Sequence, residues 1–145
     1  MDFRVEHRIG IPLSAEDIWE VFADMERWPE WNPLYKQAEG RIGIGQPLTL
    51  REAIEGLPER MVQARVLDWV PNEQLILTEK RGWQFSVVRY FEIEPLAPRS
   101  SIVSSGQIFS GMLGEGFLKK NKGRLRASLE AKNTALSARV LGTAR

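Results

Sequence analysis

Cysteine is absent from the 145 residues, and histidine occurs only once. Without cysteine the chain can form no disulfide bond, no thiolate metal site and no thiol nucleophile. A single histidine leaves only scattered carboxylates as further metal ligands, which argues against a zinc site. The sequence therefore predicts neither a metal nor any other cofactor.

An excess of charge of one sign is also lacking, because 20 lysine and arginine residues nearly balance 19 acidic residues. This balance argues against nucleic acid or an anionic membrane as a partner. No apolar run approaches the roughly 20 residues that span a bilayer, and the charged, alternating first residues are unlike a signal peptide. We therefore expect a cytoplasmic protein without a membrane span.

What the chain does contain is a first strand followed by two short helical segments. Residues 3, 5, 7 and 9 are Phe, Val, His and Ile, and they alternate with charged residues, as in a strand with one buried face. Ser14 predicts an N-cap, with Asp17 three residues on. Pro29 predicts the first turn of a second helix, which should end near Asn32, since Asn32 precedes a proline.

The middle of the chain alternates between extended segments and turn signals. The predicted strands are residues 34–42, 48–54, 61–70, 74–80, 85–94 and 101–109. Short loops between strands at this spacing predict an antiparallel meander.

The last third of the chain has helical periodicity from about residue 112 to 141. Its apolar stripe is Leu118, Leu125, Leu129, Leu136 and Val140. Gly114 and Gly116 disfavour helix, which predicts a start near Phe117, and Lys122 should reach out to solvent past the leucines. A sheet followed by a long helix predicts a single α+β domain over residues 1–145.

Several motifs in this order resemble the SRPBCC superfamily of START domains, polyketide cyclases and dehydrases, and birch-pollen-allergen-like proteins. They are Pro12, Ile18-Trp19, Asp24 and Trp31-Asn32-Pro33, followed later by Tyr90–Leu96, Phe109-Ser110-Gly111 and Asn133–Leu136. The resemblance implies a helix-grip fold, in which a curved antiparallel sheet of six or seven strands wraps around the C-terminal helix. It implies a cavity between sheet and helix, but no single function, because the superfamily includes carriers, cyclases and co-chaperones.

Arg89 is a candidate polar group inside that cavity, because it shares the register of the apolar residues of its strand. A buried guanidinium needs a partner. The partner is either a ligand carboxylate, bound through two parallel hydrogen bonds, or a glutamate of the chain such as Glu52 or Glu79. A bulge that turns Arg89 towards solvent is the third alternative.

The remaining candidates follow from the same alternation. His7 either acts on a ligand or is a hydrogen-bonded core histidine, which is the more ordinary interpretation. The predicted cavity lining is His7, Trp31, Leu50, Arg89, Gln107, Leu118 and Leu125, with no catalytic residue assigned. An apolar cavity with a few polar groups is typical of small-molecule sites.

Three functions remain open at this point. The first is binding of a hydrophobic or amphipathic small molecule, the second is a cyclase-like or dehydratase-like enzyme, and the third is a co-chaperone-like interaction domain. The chain is expected to be a monomer or a homodimer.

Overall fold

The computed structural model describes residues 3–143, and its elements follow the predicted order. They are β1 (Arg4–Ile11), α1 (Ala15–Ala23), a 3₁₀ helix (Met25–Glu30), β2 (Tyr35–Gly40), β3 (Pro47–Glu52), β4 (Arg60–Val70), β5 (Gln74–Lys80), β6 (Ser86–Ala97), β7 (Ser100–Ser110) and α2 (Met112–Thr143). The predicted α+β class and helix-grip architecture are confirmed.

All seven strands form one antiparallel sheet in the order β1-β7-β6-β5-β4-β3-β2. Strands β2 to β7 are a meander, in which each strand pairs with the next one along the chain. β1 completes the sheet at the other end by pairing with β7. The sheet curls into a half-barrel, and α2 lies along its concave side, packed against β1, β7 and α1.

Alternation along the strands places the core on this concave side. In β4, Val62, Ala64 and Val66 are buried, whereas the residues between them, Gln63 and Arg65, and those on either side, Met61 and Leu67, are exposed. Successive side chains of a strand point to opposite faces, so one apolar set faces the helix. The predicted leucine stripe of α2 is buried against it throughout.

The start of α2 differs from the prediction, because the helix begins at Met112 rather than near Phe117. The amides of Leu113 and Gly114 donate to the carbonyl oxygen of Gln84 at 3.1 and 3.2 Å. These bonds satisfy amides that have no partner within the first turn of a helix. A contact from the β5–β6 turn therefore stabilises a first turn that glycine would otherwise disfavour.

The second short helix also differs, since it is a 3₁₀ helix that begins at Met25 and contains Pro29. Its predicted end is close to correct. Beyond it, the side-chain oxygen of Asn32 accepts hydrogen bonds from the amides of Leu34 and Tyr35, both at 3.0 Å. Asn32 thereby fixes the turn that leads into β2.

Leu125 tests the packing of α2. Its side chain is only 2% exposed, so Leu125→Ala should lower the free energy of unfolding by about 2–5 kcal/mol. Chemical denaturation measures this change, and Leu67→Ala on the exposed face of β4 is the control. An effect of Leu125→Ala no larger than that of the control would contradict burial of this face of α2.

Candidate functional site

A small cavity lies between α2 and the concave face of the sheet. The aromatic rings of Phe22, Trp28, Tyr35 and Phe91 contribute to its wall, together with the charged residues Arg89 and Lys132. Its volume is about 20 Å³, which is room for about one water molecule. Sites for small organic ligands usually measure roughly 300–1,000 Å³, so side chains almost fill this one.

The aromatic wall is held by contacts between its own members. Phe22 of α1 stacks on Phe91 of β6, with ring centroids 3.5 Å apart. The indole Nε1 of Trp28 donates to the carbonyl oxygen of Phe22 at 2.8 Å, and the Trp28 ring lies 5.7 Å from that of Tyr35. α1, the 3₁₀ helix, β2 and β6 thus contribute one connected surface.

Lys132 of α2 brings a cationic group to this wall. The residue is only 4% exposed, and its Nζ lies 5.4 and 5.2 Å from the ring centroids of Phe22 and Phe91. Within residues 3–143, no hydrogen bond or ion pair joins this nitrogen to another side chain, and no carboxylate is among the residues that line the cavity. The amine is therefore buried without a counter-charge.

Burial without a counter-charge lowers the pKa of Lys132 from its ordinary 10.5 to about 7. At neutral pH the amine is therefore unprotonated in roughly half of the molecules, against about one in a thousand or fewer for an exposed lysine. The unprotonated form is a nucleophile and a base, whereas the ammonium is neither. Titratable groups perturbed in this way beside a cavity are typical of functional sites.

Arg89 also lies on the concave side, where its charge is already balanced. Its Nε and Nη2 donate to Oε2 of Glu52 at 3.2 and 3.0 Å, and its Nη1 donates to Oε1 of Glu79 at 2.8 Å. Arg60 donates to the other oxygen of Glu79 at 2.8 Å. Burial acts to raise the pKa of Glu79, but the two arginines outweigh it and lower that pKa.

These contacts decide between the alternatives for Arg89. The guanidinium points inward, as its register predicts, and its partners are the chain's own Glu52 and Glu79. The alternative of a ligand carboxylate as its partner is not supported by this geometry, because two carboxylates already neutralise the charge. The unpaired cation of the cavity is Lys132 instead.

Gln107 is buried and lies opposite Arg89 on β7. It is close to the hydroxyl of Tyr35. Burial raises the pKa of Tyr35 to about 12, although the Arg89 charge opposes this. Tyr35 therefore stays protonated at neutral pH and can donate a hydrogen bond.

His7 faces α2, where Asn133 binds it. The Asn133 Nδ2 lies 3.0 Å from both the Nδ1 and the carbonyl oxygen of His7, and the Ser105 hydroxyl donates to Asn133 Oδ1 at 2.7 Å. An amide nitrogen only donates, so His7 Nδ1 accepts. His7 is a hydrogen-bonded histidine that joins β1 to α2, and it is not among the residues that line the cavity.

The other predicted lining residues lie outside the cavity. Leu50, Leu118 and Leu125 are buried in the packed core. Trp31 lines a groove at the surface beside Arg139, not the cavity. The 3₁₀ helix begins at Met25, earlier than predicted, so that it contains the buried Trp28 and ends before Trp31.

A surface groove is lined by residues adjacent in the chain to residues that line the cavity. It runs between α2 and the segments next to β2 and β3, and its volume is about 140 Å³. Leu34 and Ala131 line the groove, and the residues that follow them, Tyr35 and Lys132, line the cavity. The same two chain segments therefore contribute to both the groove and the cavity.

Sequence analysis missed Lys132, although its position carried a signal. At about 100° per residue, Lys132 lies about 40° to one side of the line through Leu118 and Leu136, and Lys122 lies about 40° to the other side. Helical periodicity alone therefore does not predict which of the two lysines is buried. In the structure Lys132 is buried and Lys122 is exposed, although Val140, which has the same helical angle as Lys122, is buried, so burial on each side of the stripe varies along the length of α2.

Two kinds of site find no support in the part of the chain described. Between residues 3 and 143, no three or more histidine, aspartate or glutamate side chains are grouped so that they could hold a metal ion. No helix in the same range is both long enough and apolar enough for a membrane span.

Comparison with protein families gives a match over nearly the whole chain. A family described as "Polyketide cyclase / dehydrase and lipid transport" matches residues 2–140. None of the curated proteins matches the sequence significantly.

Solved structures share the fold over nearly the whole chain. A START superfamily protein from Mycobacterium smegmatis is 26% identical, with a TM-score of 0.74, over 97% of this chain and 98% of that one. The Zhui aromatase/cyclase from Streptomyces sp. R1128 is 16% identical, with a TM-score of 0.80, over 98% and 95% of the two chains. A norcoclaurine synthase point mutant from Thalictrum flavum is 16% identical, with a TM-score of 0.75, over 100% and 98%.

Proposed function

Since the chain belongs to the polyketide cyclase, dehydrase and lipid-transport family, we propose that it binds a hydrophobic or amphipathic small molecule between α2 and the sheet. The observation that carries this proposal is the aromatic cavity with the unpaired amine of Lys132 on its wall. Apolar walls with a few placed polar groups are typical of ligand sites. A cytoplasmic location and a monomeric or dimeric state remain predictions.

The side chains of the cavity wall indicate which chemical groups the ligand contains. The aromatic rings of the wall favour a flat or mainly apolar body. Lys132 favours one carbonyl or acidic group on it, because no carboxylate among residues 3–143 pairs with this amine. Arg89 is not expected to contribute to recognition, since Glu52 and Glu79 hold its guanidinium.

Binding requires the site to open, because the cavity has room for only about one water molecule. The groove beside Ala131 is the proposed route. On this side α2 presents the small residues Ala127, Ser128 and Ala131 to Pro33 and Ala53. Small side chains leave space for a ligand to pass once Leu34 moves.

This route predicts the effect of a bulky residue in the groove. Ala131→Trp should weaken binding of 2-naphthol, a mainly apolar aromatic probe, by at least about tenfold, or about 1.4 kcal/mol. Titration followed by tryptophan fluorescence or by nuclear magnetic resonance measures the affinity. Glu130→Trp is the matched control, because Glu130 is the exposed neighbour outside the groove. Equal affinities in the two variants would contradict the route, and absence of binding in the wild type would contradict the proposed function.

Catalysis of the cyclase or dehydratase kind is the second candidate function, favoured by Lys132. A base with a pKa of about 7 removes a proton from a substrate effectively near neutral pH. If the cavity supports such a reaction, the rate should rise with pH through about 7. A rate that stays unchanged in Lys132→Met would exclude Lys132 as the base.

A further inference from the structure

Binding of an apolar molecule does not explain why the amine of Lys132 lies in the cavity wall. An apolar ligand alone would be served by methionine or leucine at this position. A buried amine without a partner lowers stability, and destabilising groups are found at functional sites, where stability and activity trade off. The surroundings of Lys132 indicate which chemistry this amine performs.

We propose that Lys132 forms an imine with the carbonyl carbon of an aldehyde or ketone that has an aromatic or other apolar body. This inference rests on the proposed function, because it assigns a reactive group to the ligand of the same cavity.

The reaction balances without an oxidant, a reductant or a metal. The lone pair of Nζ forms a bond to the carbonyl carbon, and the carbonyl π electrons move to oxygen, which takes a proton from the nitrogen. The carbinolamine then loses its hydroxyl group and the remaining N–H proton as water, which leaves the C=N bond. The products are the imine and one water molecule.

The cavity suits each requirement of this step. Nucleophilic attack needs the unprotonated amine, and burial without a carboxylate favours that form. Water would hydrolyse an imine, and the cavity has space for little more than one water molecule.

The rings of Phe22 and Phe91, 5.4 and 5.2 Å from Nζ, would also stabilise a protonated imine by cation–π attraction. The two aromatic rings would therefore contact the apolar body of the ligand and would also stabilise the protonated imine that its carbonyl group forms.

Reductive trapping tests the proposal directly. The full chain is incubated at neutral pH with benzaldehyde and sodium cyanoborohydride, which reduces an imine to a stable amine. The expected product carries one benzyl group, located at Lys132 by peptide mapping. The chain has six lysines, and Lys132 should be labelled at least about tenfold faster than any of the other five, because an exposed lysine is almost entirely protonated.

Two variants and two further probes separate the outcomes. Lys132→Met should lose the fast label, whereas the exposed Lys120→Met should keep it. Benzyl alcohol has a similar shape without a carbonyl, so it reports binding alone. If benzyl alcohol binds and Lys132 is not labelled preferentially, the imine is refuted and the binding function stands.

If neither benzyl alcohol nor benzaldehyde binds, both proposals fail. If benzoate binds tightly while benzaldehyde leaves Lys132 unmodified, Lys132 is a charged anchor for an anion, which also overturns the imine. Labelling at equal rates on all six lysines would show ordinary surface reactivity and count against the proposal.

Discussion

Lys132→Met is expected to stabilise the protein by about 3–5 kcal/mol at pH 6, since each pKa unit corresponds to about 1.4 kcal/mol. The wild-type lysine is charged in the unfolded chain, and folding removes it from water without giving it a partner. Methionine has a similar length and fills the same space with apolar atoms. Most substitutions in a core destabilise a protein, so a gain of this size would be diagnostic.

The pH dependence of this gain follows from the direction of the pKa change. Folding lowers the pKa of Lys132 from 10.5 to about 7. Between these values the unfolded chain binds one more proton than the folded chain, so the stability of the wild type rises with pH. The difference between Lys132→Met and wild type should therefore be largest below pH 7 and should fade as the pH approaches 10.5.

Urea denaturation at pH 6 and pH 9 measures both quantities. Comparison with the wild type at each pH removes the contributions of other titrating groups. Lys122→Met on the exposed side of α2 is the control and should change stability little at either pH. A destabilised Lys132→Met at pH 6 would show that the lysine has a stabilising partner and would remove the physical basis of the proposed site.

Arg89→Met should have a large effect of the opposite sign, a loss of about 3–5 kcal/mol. The substitution leaves the buried carboxylates of Glu52 and Glu79 without the guanidinium that bonds to both. Arg60 lies 2.8 Å from Glu79 and 3.9 Å from Glu52, so it compensates only in part. A loss of stability, not a change in ligand affinity, is the expected primary result.

Removing the two carboxylate charges left without Arg89 should restore part of the lost stability. Adding Glu52→Gln and Glu79→Gln to Arg89→Met replaces two buried carboxylates with neutral amides. The triple variant should therefore be more stable than Arg89→Met alone. Arg51→Met is the control, because its pair with Glu59 is exposed and surface pairs contribute only about 0–1 kcal/mol. Similar losses for Arg51→Met and Arg89→Met would contradict the buried network.

Local patterns in the sequence predicted most of the fold. β5 has the predicted bounds, and the alternation of apolar residues in β6 correctly predicted that Arg89 points inward. The helix start was missed because its capping contact comes from Gln84, 28 residues before Met112. Local propensity does not contain a contact of that kind.

The candidate site was harder to predict than the fold, for two physical reasons. The partners of Arg89 lie on β3 and β5, and the pairing of strands decides which glutamates it reaches. The choice between Lys122 and Lys132 depends on what packs against each turn of α2, which the rest of the fold determines. Both facts belong to packing between elements, not to the pattern within one element.

The pairing of β1 with β7 also has a consequence for how the chain folds. Arg4 pairs with Ile108 and Ile11 with Ser101, so this pairing closes a loop of roughly 100 residues. Closing the loop lowers the entropy of the chain, and this entropy is lost before the contacts of the pairing form. Pairings between residues so distant in the chain slow folding. During synthesis β1 is made well before β7, so the apolar face of β1 stays uncovered until the meander has formed. The closing of β1 onto β7, locked by the bonds of Asn133 to His7, is expected to be a late step in folding, and chains that fail at this step would expose the unpaired edge of β7 to aggregation.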